Sequence, residues 1–499
     1  MYARAALAGA AAILFAVVSL RPWEEAPRDR FPIQFLNWDL LCEFYPHLEH
    51  TARVMRSGTL PLWNPEEHCG YPHLAGAQTG VLYPPYILFW LCPGVPAALL
   101  IHALQLVIAG AGSALLAREL GATRGAATLA YVAGAFCAPM ALGAFMISRE
   151  ATMCWAPLCL VAVARRRPIA LAALYAMAIL GGYLPYAVFG ALAIAIAGAV
   201  LAWQRREVAV LVRALAGIAG GVVLAAALVV PVLELWTQVE RGPDLPEEMK
   251  SGDAVRAREL SHLLSPDPSE REWMFLGTLA LCGIVLGAAT RAGAPLAVVC
   301  ATALLYAMGK GSPIYGILGA IPPFSSFRGV RSSLPMLVAA APALAALGAD
   351  RLTSLAARRP GRAAAGLLLG AAVAAAVAAA GARAGPLAAI ELGAIGVALL
   401  ASGGRAVAAT VVLVTFLRLL LDTASLPSYV TSFRALLEPA PAARAALASI
   451  YPARVAVNIG RARAELPGSI LLSMAGGGVP IARAGGHPRS LPLSRIERL

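Results

Sequence analysis

Long apolar blocks dominate this sequence and limit what it can fold into. They include residues 5–20, 97–116, 170–180 and 218–235, and each block is nearly free of charged side chains. A bilayer core needs about 20 apolar residues per helix, and only helices or closed barrels satisfy their backbone groups there. The blocks lack the apolar–polar alternation of barrel strands. The sequence therefore predicts an all-α polytopic membrane protein.

The composition and the charge distribution agree with this class. Only 13% of the 499 residues are charged and 59% are hydrophobic, whereas a soluble domain carries about 25% charged residues. The net charge of +13 does not indicate a nucleic-acid partner, because much of the excess lies in short loops between apolar blocks. Short basic loops face the cytoplasm. Their arginines are Arg118, Arg124, Arg165, Arg166, Arg167, Arg205, Arg206, Arg351, Arg358, Arg359 and Arg362.

The first apolar block resembles a secretory signal, since Arg4 precedes it. No small-residue cleavage site follows, because Arg21, Pro22 and Trp23 come next. We therefore expect an uncleaved signal anchor with its N-terminus in the cytoplasm, rather than a peptide that is removed.

Alternating sides from Arg4 gives about thirteen spans and places every short arginine-rich loop in the cytoplasm. Residues 1–421 then form the transmembrane domain, and residues 422–499 form a short external segment in which apolar alternation predicts strands. The other external segments are 21–97, 237–272 and 309–331. The predicted spans are 5–20, 97–117, 125–147, 151–164, 168–182, 184–203, 208–236, 273–290, 294–308, 332–349, 363–381, 385–401 and 406–421.

The first external segment, residues 21–97, combines aromatic, histidine, proline and acidic side chains in a way that suits a ligand site. Asp39, Glu43, His47 and His50 follow one stripe of a helix. The two carboxylates would serve as general base and orienting group for a sugar hydroxyl or a similar acceptor. Alternatively, all four side chains would bind a divalent metal, or form the solvated face of an interfacial helix.

Pro46 interrupts this stripe. A proline disrupts the helix hydrogen bonding between Asp39 and His47. It is also well placed to open a new helix at its first turn, which would leave Asp39 in the preceding loop.

A series of short motifs in the same segment resembles a known family. They are Tyr45–Pro46, the run Gly58 to Pro65, Gly70–Tyr71–Pro72, the run Ala77 to Gly80, and Tyr83–Pro84–Pro85. A second patch, Pro322 to Arg331, ends in an Arg-x-x-Arg motif. Both look like loops of the bacterial membrane protein family called YfhO. The resemblance covers residues 20–350, while the tail fits loosely.

The resemblance implies a GT-C type glycosyltransferase fold in a bacterial inner membrane. Such enzymes draw a sugar from a polyprenyl-phosphate carrier and transfer it at the outer face, here to an envelope glycan or lipid. An acidic residue of the first external loop commonly serves as base; Asp39 matches that position, with Glu43 as its candidate partner. The lipid-linked donor is the one ligand implied, and a metal requirement is left open.

Five further charged residues are candidates for substrate binding. Arg328 and Arg331 present guanidinium groups that suit phosphate oxygens, although arginines here also snorkel to the interface. Lys310 is a second candidate cation. Arg149 and Glu150 fall at membrane depth, where ionisable groups indicate function, unless they neutralise each other as a structural pair.

Four residues of the first loop complete the predicted substrate site. His68, which together with His73 flanks the turn Gly70–Tyr71–Pro72, would line a sugar pocket. Tyr71 and Tyr83 would stack on a sugar or a lipid, and Gln78 belongs to the motifs above. The aromatic members equally suit an interfacial belt.

Two other function classes compete with the enzyme. A transporter or lipid flippase would show internal repeats and ionisable groups near the midplane, and no clear repeat is present. A non-catalytic envelope assembly protein would not require Asp39, Arg328 or Arg331.

Overall fold

A computed structural model describes residues 2–20, 43–65, 70–92, 94–143, 146–238, 250–251, 254–255, 278–327, 329–333, 335–358, 361 and 404–425. Within these residues the secondary structure is helical, apart from one isolated antiparallel bridge between Asn64 and Tyr71. The predicted all-α class is confirmed. Asp39, His68, Arg328, the predicted spans 363–381 and 385–401, and the tail beyond residue 425 lie outside the described residues.

The helices are numbered in chain order. Several begin with a proline in the first turn, where its missing N–H costs no hydrogen bond. They are α1 (Tyr2–Leu20), α2 (Tyr45–Arg56), α3 (Ile87–Leu91), α4 (Val95–Glu119), α5 (Arg124–Phe136), α6 (Ala138–Gly143), α7 (Ile147–Met153), α8 (Ala156–Ala164), α9 (Pro168–Leu180), α10 (Leu184–Arg205), α11 (Ala209–Leu224), α12 (Ala226–Gln238), α13 (Thr278–Ala288), α14 (Ala294–Ala307), α15 (Pro313–Gly319), α16 (Pro335–Arg358) and α17 (Gly404–Ser425).

Among the described helices, four stretches are long and apolar enough to cross a membrane: Pro96–Glu119, Ile147–Ala164, Leu184–Arg205 and Pro335–Ser354. Shorter apolar helices accompany them, among them Pro168–Leu180 and Ala294–Ala307. The chain is a multi-pass membrane protein. The count of thirteen spans and the orientation of the termini stay predictions.

Two of the predicted spans are interrupted. Residues 125–147 divide into α5 and α6 at Cys137, whose backbone is extended, because Pro139 cannot continue the hydrogen bonding of the preceding helix. Residues 208–236 divide into α11 and α12, which are bent by 77°. The bend directs Leu228 and Val232 of α12 against Ala77 of the first loop. Hydropathy alone does not reveal such changes of direction.

The start of α2 distinguishes between the two helical hypotheses for the first loop. The helix begins at Tyr45 with Pro46 in its first turn, as expected if Pro46 opens a new helix. Glu43 lies two residues before it, in a wider helical turn that also includes Phe44. His47 and His50 are both buried on α2, so the interpretation of α2 as a solvated polar stripe does not hold for these two side chains.

Glycine and alanine hold the centre of the bundle together. Most of α16 from Met336 to Ala346 is fully buried. Gly283 of α13 lies against the backbone of Ala345, and Gly348 lies against the backbone of Gly283. A side chain at either glycine would overlap main-chain atoms. Close packing through small residues is the usual way in which membrane helices associate.

Arginine-rich loops meet at one end of the bundle. Arg165 pairs with Glu119 at 2.7 Å, and Arg166 pairs with Glu207 at 2.7 Å. These contacts join the loops that follow α4, α8 and α10. We call this the basic end. We call the opposite end, which carries residues 70–92, 181–184 and 309–333, the outer end.

Candidate functional site

Helix α7 is the element on which the outer-end loops converge. Ser148 donates a hydrogen bond to Oε1 of Gln78, a residue of the first loop, at 3.1 Å. Thr152 accepts one from the backbone N–H of Tyr183 in the turn after α9, also at 3.1 Å. Because α7 has only seven residues, these side-chain contacts contribute much of what holds it in place.

Arg149 lies on α7 between the two anchoring positions. Its guanidinium carbon is 4.7 Å from the centre of the Tyr183 ring and 6.0 Å from that of Tyr186. The two rings meet edge to face, with centroids 4.7 Å apart. The negative faces of these rings attract the guanidinium, and a planar guanidinium is a group that suits oxyanion ligands.

Glu150 faces the opposite way and contacts α4. Its two carboxylate oxygens are 2.7 and 2.8 Å from Nδ1 of His102. Both side chains are fully buried. The structure therefore gives Glu150 a partner in His102, which is not the partner that the structural-pair hypothesis named.

The first loop packs deeply on this part of the bundle. Tyr83, Tyr86 and Phe89 are buried in one cluster with Ile101 of α4 and Ile147 of α7. Within the same cluster the Tyr83 hydroxyl accepts a hydrogen bond from the Trp155 indole at 3.0 Å. Tyr83 and Gln78, both predicted to bind substrate, thus serve here to attach the loop.

Gly182 permits the closest approach between the loop and the bundle. Its φ is +96°, and a Cβ there would overlap the carbonyl oxygen of Ala77. Only glycine combines this backbone conformation with this proximity.

An aromatic path leads from Arg149 to a cavity at the outer end. Phe189 follows Tyr186 by one turn of α10, and its ring centre is 5.0 Å from that of Tyr306 and 5.2 Å from that of Phe324. The cavity encloses about 290 Å³. It combines aromatic and small residues with one ammonium group; the lining residues are Lys250, Tyr306, Tyr315, Gly316, Gly319, Ala320, Phe324, Ser325 and Phe327.

Two predicted cations lie at either side of the segment that lines this cavity. Lys310 is exposed in the turn Gly309–Gly311, just before α15. Arg331 is half-buried in the turn Val330–Ser333, just before α16. The structure thus brings Arg331, Lys310 and Arg149 to the same end of the bundle.

Three histidines of the first loop are packed together beneath its surface. The ring centre of His73 is 5.7 Å from that of His47 and 4.7 Å from that of His50, and its Nε2 is 2.8 Å from the Thr51 hydroxyl. Burial, together with the charges of His47 and His50, lowers the pKa of His73 to about 2. Tyr71 stacks on His47.

Metal binding finds no support in this cluster. Across the part of the chain that the structure describes, no group of three or more His, Cys, Asp or Glu side chains is arranged to hold a metal ion. Asp39, the fourth member of the metal hypothesis, lies outside those residues.

Several residues of the candidate site were not predicted from the sequence. A histidine within an apolar block, such as His102, is itself a signal of function or pairing. Lys250 gave no comparable signal, since it stands outside the motifs, and Phe324 lies within the patch Pro322 to Arg331 without having been chosen as a site residue. Tyr183 and Tyr186 become relevant only once α7 is seen to face them.

Comparison with known proteins supports the fold. No family model matches the sequence, and no curated protein matches it. The structure of ArnT from Cupriavidus metallidurans in the apo state aligns with a TM-score of 0.52 at 16% identity, covering 96% of this chain and 85% of that one. ArnT from the same organism bound to undecaprenyl phosphate aligns with a TM-score of 0.49 at 15% identity, covering 97% and 86%.

The likeness to apo ArnT establishes a GT-C-like fold for this chain. At 16% sequence identity, this likeness shows the fold of the chain but does not assign a role to any individual residue. The narrower YfhO assignment finds no match and stays a prediction from the loop motifs.

Replacing Gly182 by alanine is expected to detach the first loop. The new Cβ would strain a positive-φ position and overlap Ala77, at a cost of about 2 kcal/mol. Thermal unfolding in detergent should occur at lower temperature, and limited proteolysis should cut residues 70–92 faster. Gly190→Ala is the matched control, because α10 leaves open space there and alanine favours the helix. Equal behaviour of both variants would refute the close-approach argument.

Acidification is expected to loosen the histidine cluster. The pKa of His73 is about 2 in the folded loop against 6.5 ordinarily, so the unfolded loop binds more protons below pH 6.5 and loop stability falls as pH falls. The loss at pH 5 is about 2 kcal/mol. Hydrogen exchange of residues 45–56 and 70–82, corrected for the intrinsic pH effect, should rise relative to residues 335–358. His73→Gln should flatten this dependence; an unchanged slope would contradict the assignment.

Proposed function

We propose that this chain is a membrane glycosyltransferase, which moves a sugar from a polyprenyl-phosphate carrier to an envelope glycan or lipid at the outer face of a bacterial inner membrane. The observation that supports the proposal is an aromatic-walled cavity of about 290 Å³, lined by Lys250, at the end of the bundle that also carries three further cations. Arg149, Lys310 and Arg331 supply the cations.

The fold supports this class of reaction. A GT-C-like helical bundle is the architecture that the chain shares with ArnT. ArnT from Cupriavidus metallidurans has been crystallised with undecaprenyl phosphate, which belongs to the carrier class that we assign to this chain.

Carrier phosphate and cations form the first part of the proposed site. Guanidinium forks match phosphate oxygens in pairs, so we assign the phosphate to Arg149 and Arg331, together with Arg328. Lys310 and Lys250 add positive charge near the cavity mouth. As the sugar–phosphate bond breaks, these cations would stabilise the negative charge that develops on the leaving phosphate.

The cavity fits the part of the donor next to the phosphate. A volume of about 290 Å³ lies at the lower end of the range for ligand sites. Its walls are aromatic, with Tyr306, Tyr315 and Phe324 on different elements. Such walls bind isoprene units or the apolar face of a sugar ring, and the flanking hydroxyl of Ser325 offers a polar contact.

Acceptor activation is assigned to the first loop. In the proposed reaction Asp39 takes the proton of the acceptor hydroxyl, whose oxygen attacks the anomeric carbon while the bond to phosphate breaks. Glu43, two residues before α2, orients Asp39 or the acceptor. His68 and Tyr71 remain assigned to the sugar, while Gln78 and Tyr83 hold the loop against α7 and α8.

Asp39→Asn is expected to lower sugar transfer by about 10²- to 10⁴-fold, because the amide cannot accept the acceptor's proton. The measurement is transfer of labelled sugar from a polyprenyl-phosphate donor by purified protein. Carrier binding should be unchanged. Glu119→Gln makes the same carboxylate-to-amide change at the basic end and should retain wild-type rates. Equal rates for wild type and Asp39→Asn would remove Asp39 from catalysis.

Arg149→Gln is expected to weaken binding of undecaprenyl phosphate by roughly ten- to a hundredfold, as is typical for the loss of charged hydrogen bonds. Binding is measured on purified protein by the shift of thermal unfolding with carrier concentration. Arg165→Gln, which removes a guanidinium from the basic end, is the control and should bind as wild type does. An unaltered dissociation constant in Arg149→Gln would exclude this arginine from the phosphate site.

A further inference from the structure

Glu150 and His102 form a buried polar pair in the apolar part of the bundle. Their side chains are 0% and 1% exposed, and the shorter N–O distance is 2.7 Å. An ionisable group buried at this depth is costly unless it is paired. The pair joins α7 to α4 across 48 residues of sequence, in a region where Ile147 and Ile101 supply only apolar packing.

The surroundings of Glu150 leave no room for a substrate. Both carboxylate oxygens face Nδ1 of His102. On the other side Gly143 packs so closely that a Cβ there would lie 2.7 Å from the Glu150 side chain. An acidic group enclosed in this way does not reach the reacting atoms, which distinguishes it from the role assigned to Asp39.

The same face of α4 carries buried polar atoms that Glu150 does not reach. Gln105 lies one turn beyond His102 and is fully buried, and both its amide atoms lack a partner among the described residues. Nε2 of His102 also lacks a partner among the described residues. Removing the carboxylate would therefore leave a third polar group unsatisfied in a dry interior, which is destabilising locally.

We propose that Glu150 is a positioning residue, which His102 holds so that α7 presents Arg149 to the Tyr183–Tyr186 face. Arg149 and Glu150 are consecutive on a seven-residue helix. Fixing the Glu150 side chain against α4 therefore fixes the direction of Arg149. This inference rests on the proposed function only in that Arg149 is taken to bind the carrier phosphate. The orientation of α7 does not depend on the proposed function.

The test compares Glu150→Gln, Glu150→Ala and His102→Leu in full-length protein purified in detergent. Glutamine keeps an oxygen acceptor for His102 Nδ1, so Glu150→Gln should preserve the position of α7. The variants Glu150→Ala and His102→Leu both remove the contact. Two quantities are measured: hydrogen exchange of residues 146–155 and 181–186, and the dissociation constant for undecaprenyl phosphate. We expect Glu150→Gln to stay within about threefold of wild type in both quantities, since one good hydrogen bond survives.

Glu150→Ala and His102→Leu should raise exchange in both segments and weaken carrier binding by about a hundredfold, the effect of displacing a binding group by about 1 Å. If these variants do not fold, the double variant His102→Leu/Glu150→Met replaces the pair by apolar side chains of similar size, a change that buried ion pairs often tolerate. It should fold but bind carrier weakly.

Two results would overturn the proposal. One is a loss in Glu150→Gln as large as in Glu150→Ala, which would mean that the charge itself acts. The other is wild-type exchange and binding in Glu150→Ala. Should wild type itself fail to bind undecaprenyl phosphate, the proposed function fails, and the exchange data alone still decide whether Glu150 positions α7.

Discussion

A bilayer interior offers no water to polar groups, and this constraint organises the outer end of the protein. A polar side chain that is buried there is costly unless it finds a partner within the protein. Ser148, Glu150 and Thr152 of α7 find theirs on three different elements: the first loop, α4 and the turn after α9. The hydrogen bonds that satisfy the polar groups of α7 are therefore the same ones that bring the elements of the candidate site together.

The first loop is consequently a part of the bundle rather than an appendage. Tyr83, Tyr86 and Phe89 are buried against α4 and α7, and Gly182 brings main chain directly onto main chain. Burial of three large aromatic rings contributes several kcal/mol of apolar stabilisation. A catalytic group carried on this loop would inherit its rigidity, which is what a base acting at a fixed acceptor requires.

The sequence was informative where the signal is local. Apolar blocks predicted the helical membrane class, and Pro46 predicted the start of α2. It was uninformative about direction and partnership: hydropathy did not show the 77° bend after Leu224, because it averages composition along the chain. The pairing of Glu150 with His102 spans 48 residues, and no periodicity encodes a contact of that range. The roles of Asp39 and Arg328 lie outside the described residues and stay predictions.

Breaks in the helices explain why the residues that hold the fold together are also residues of the candidate site. Main-chain groups freed at a break are tolerated at membrane depth only where protein covers them. The breaks around α7 and after α9 lie against the first loop, which supplies that cover through Gln78 and Ala77. Each break also turns a neighbouring side chain, such as Arg149 or Tyr183, toward the outer end. The interruption is thus the structural condition for a polar site at this depth.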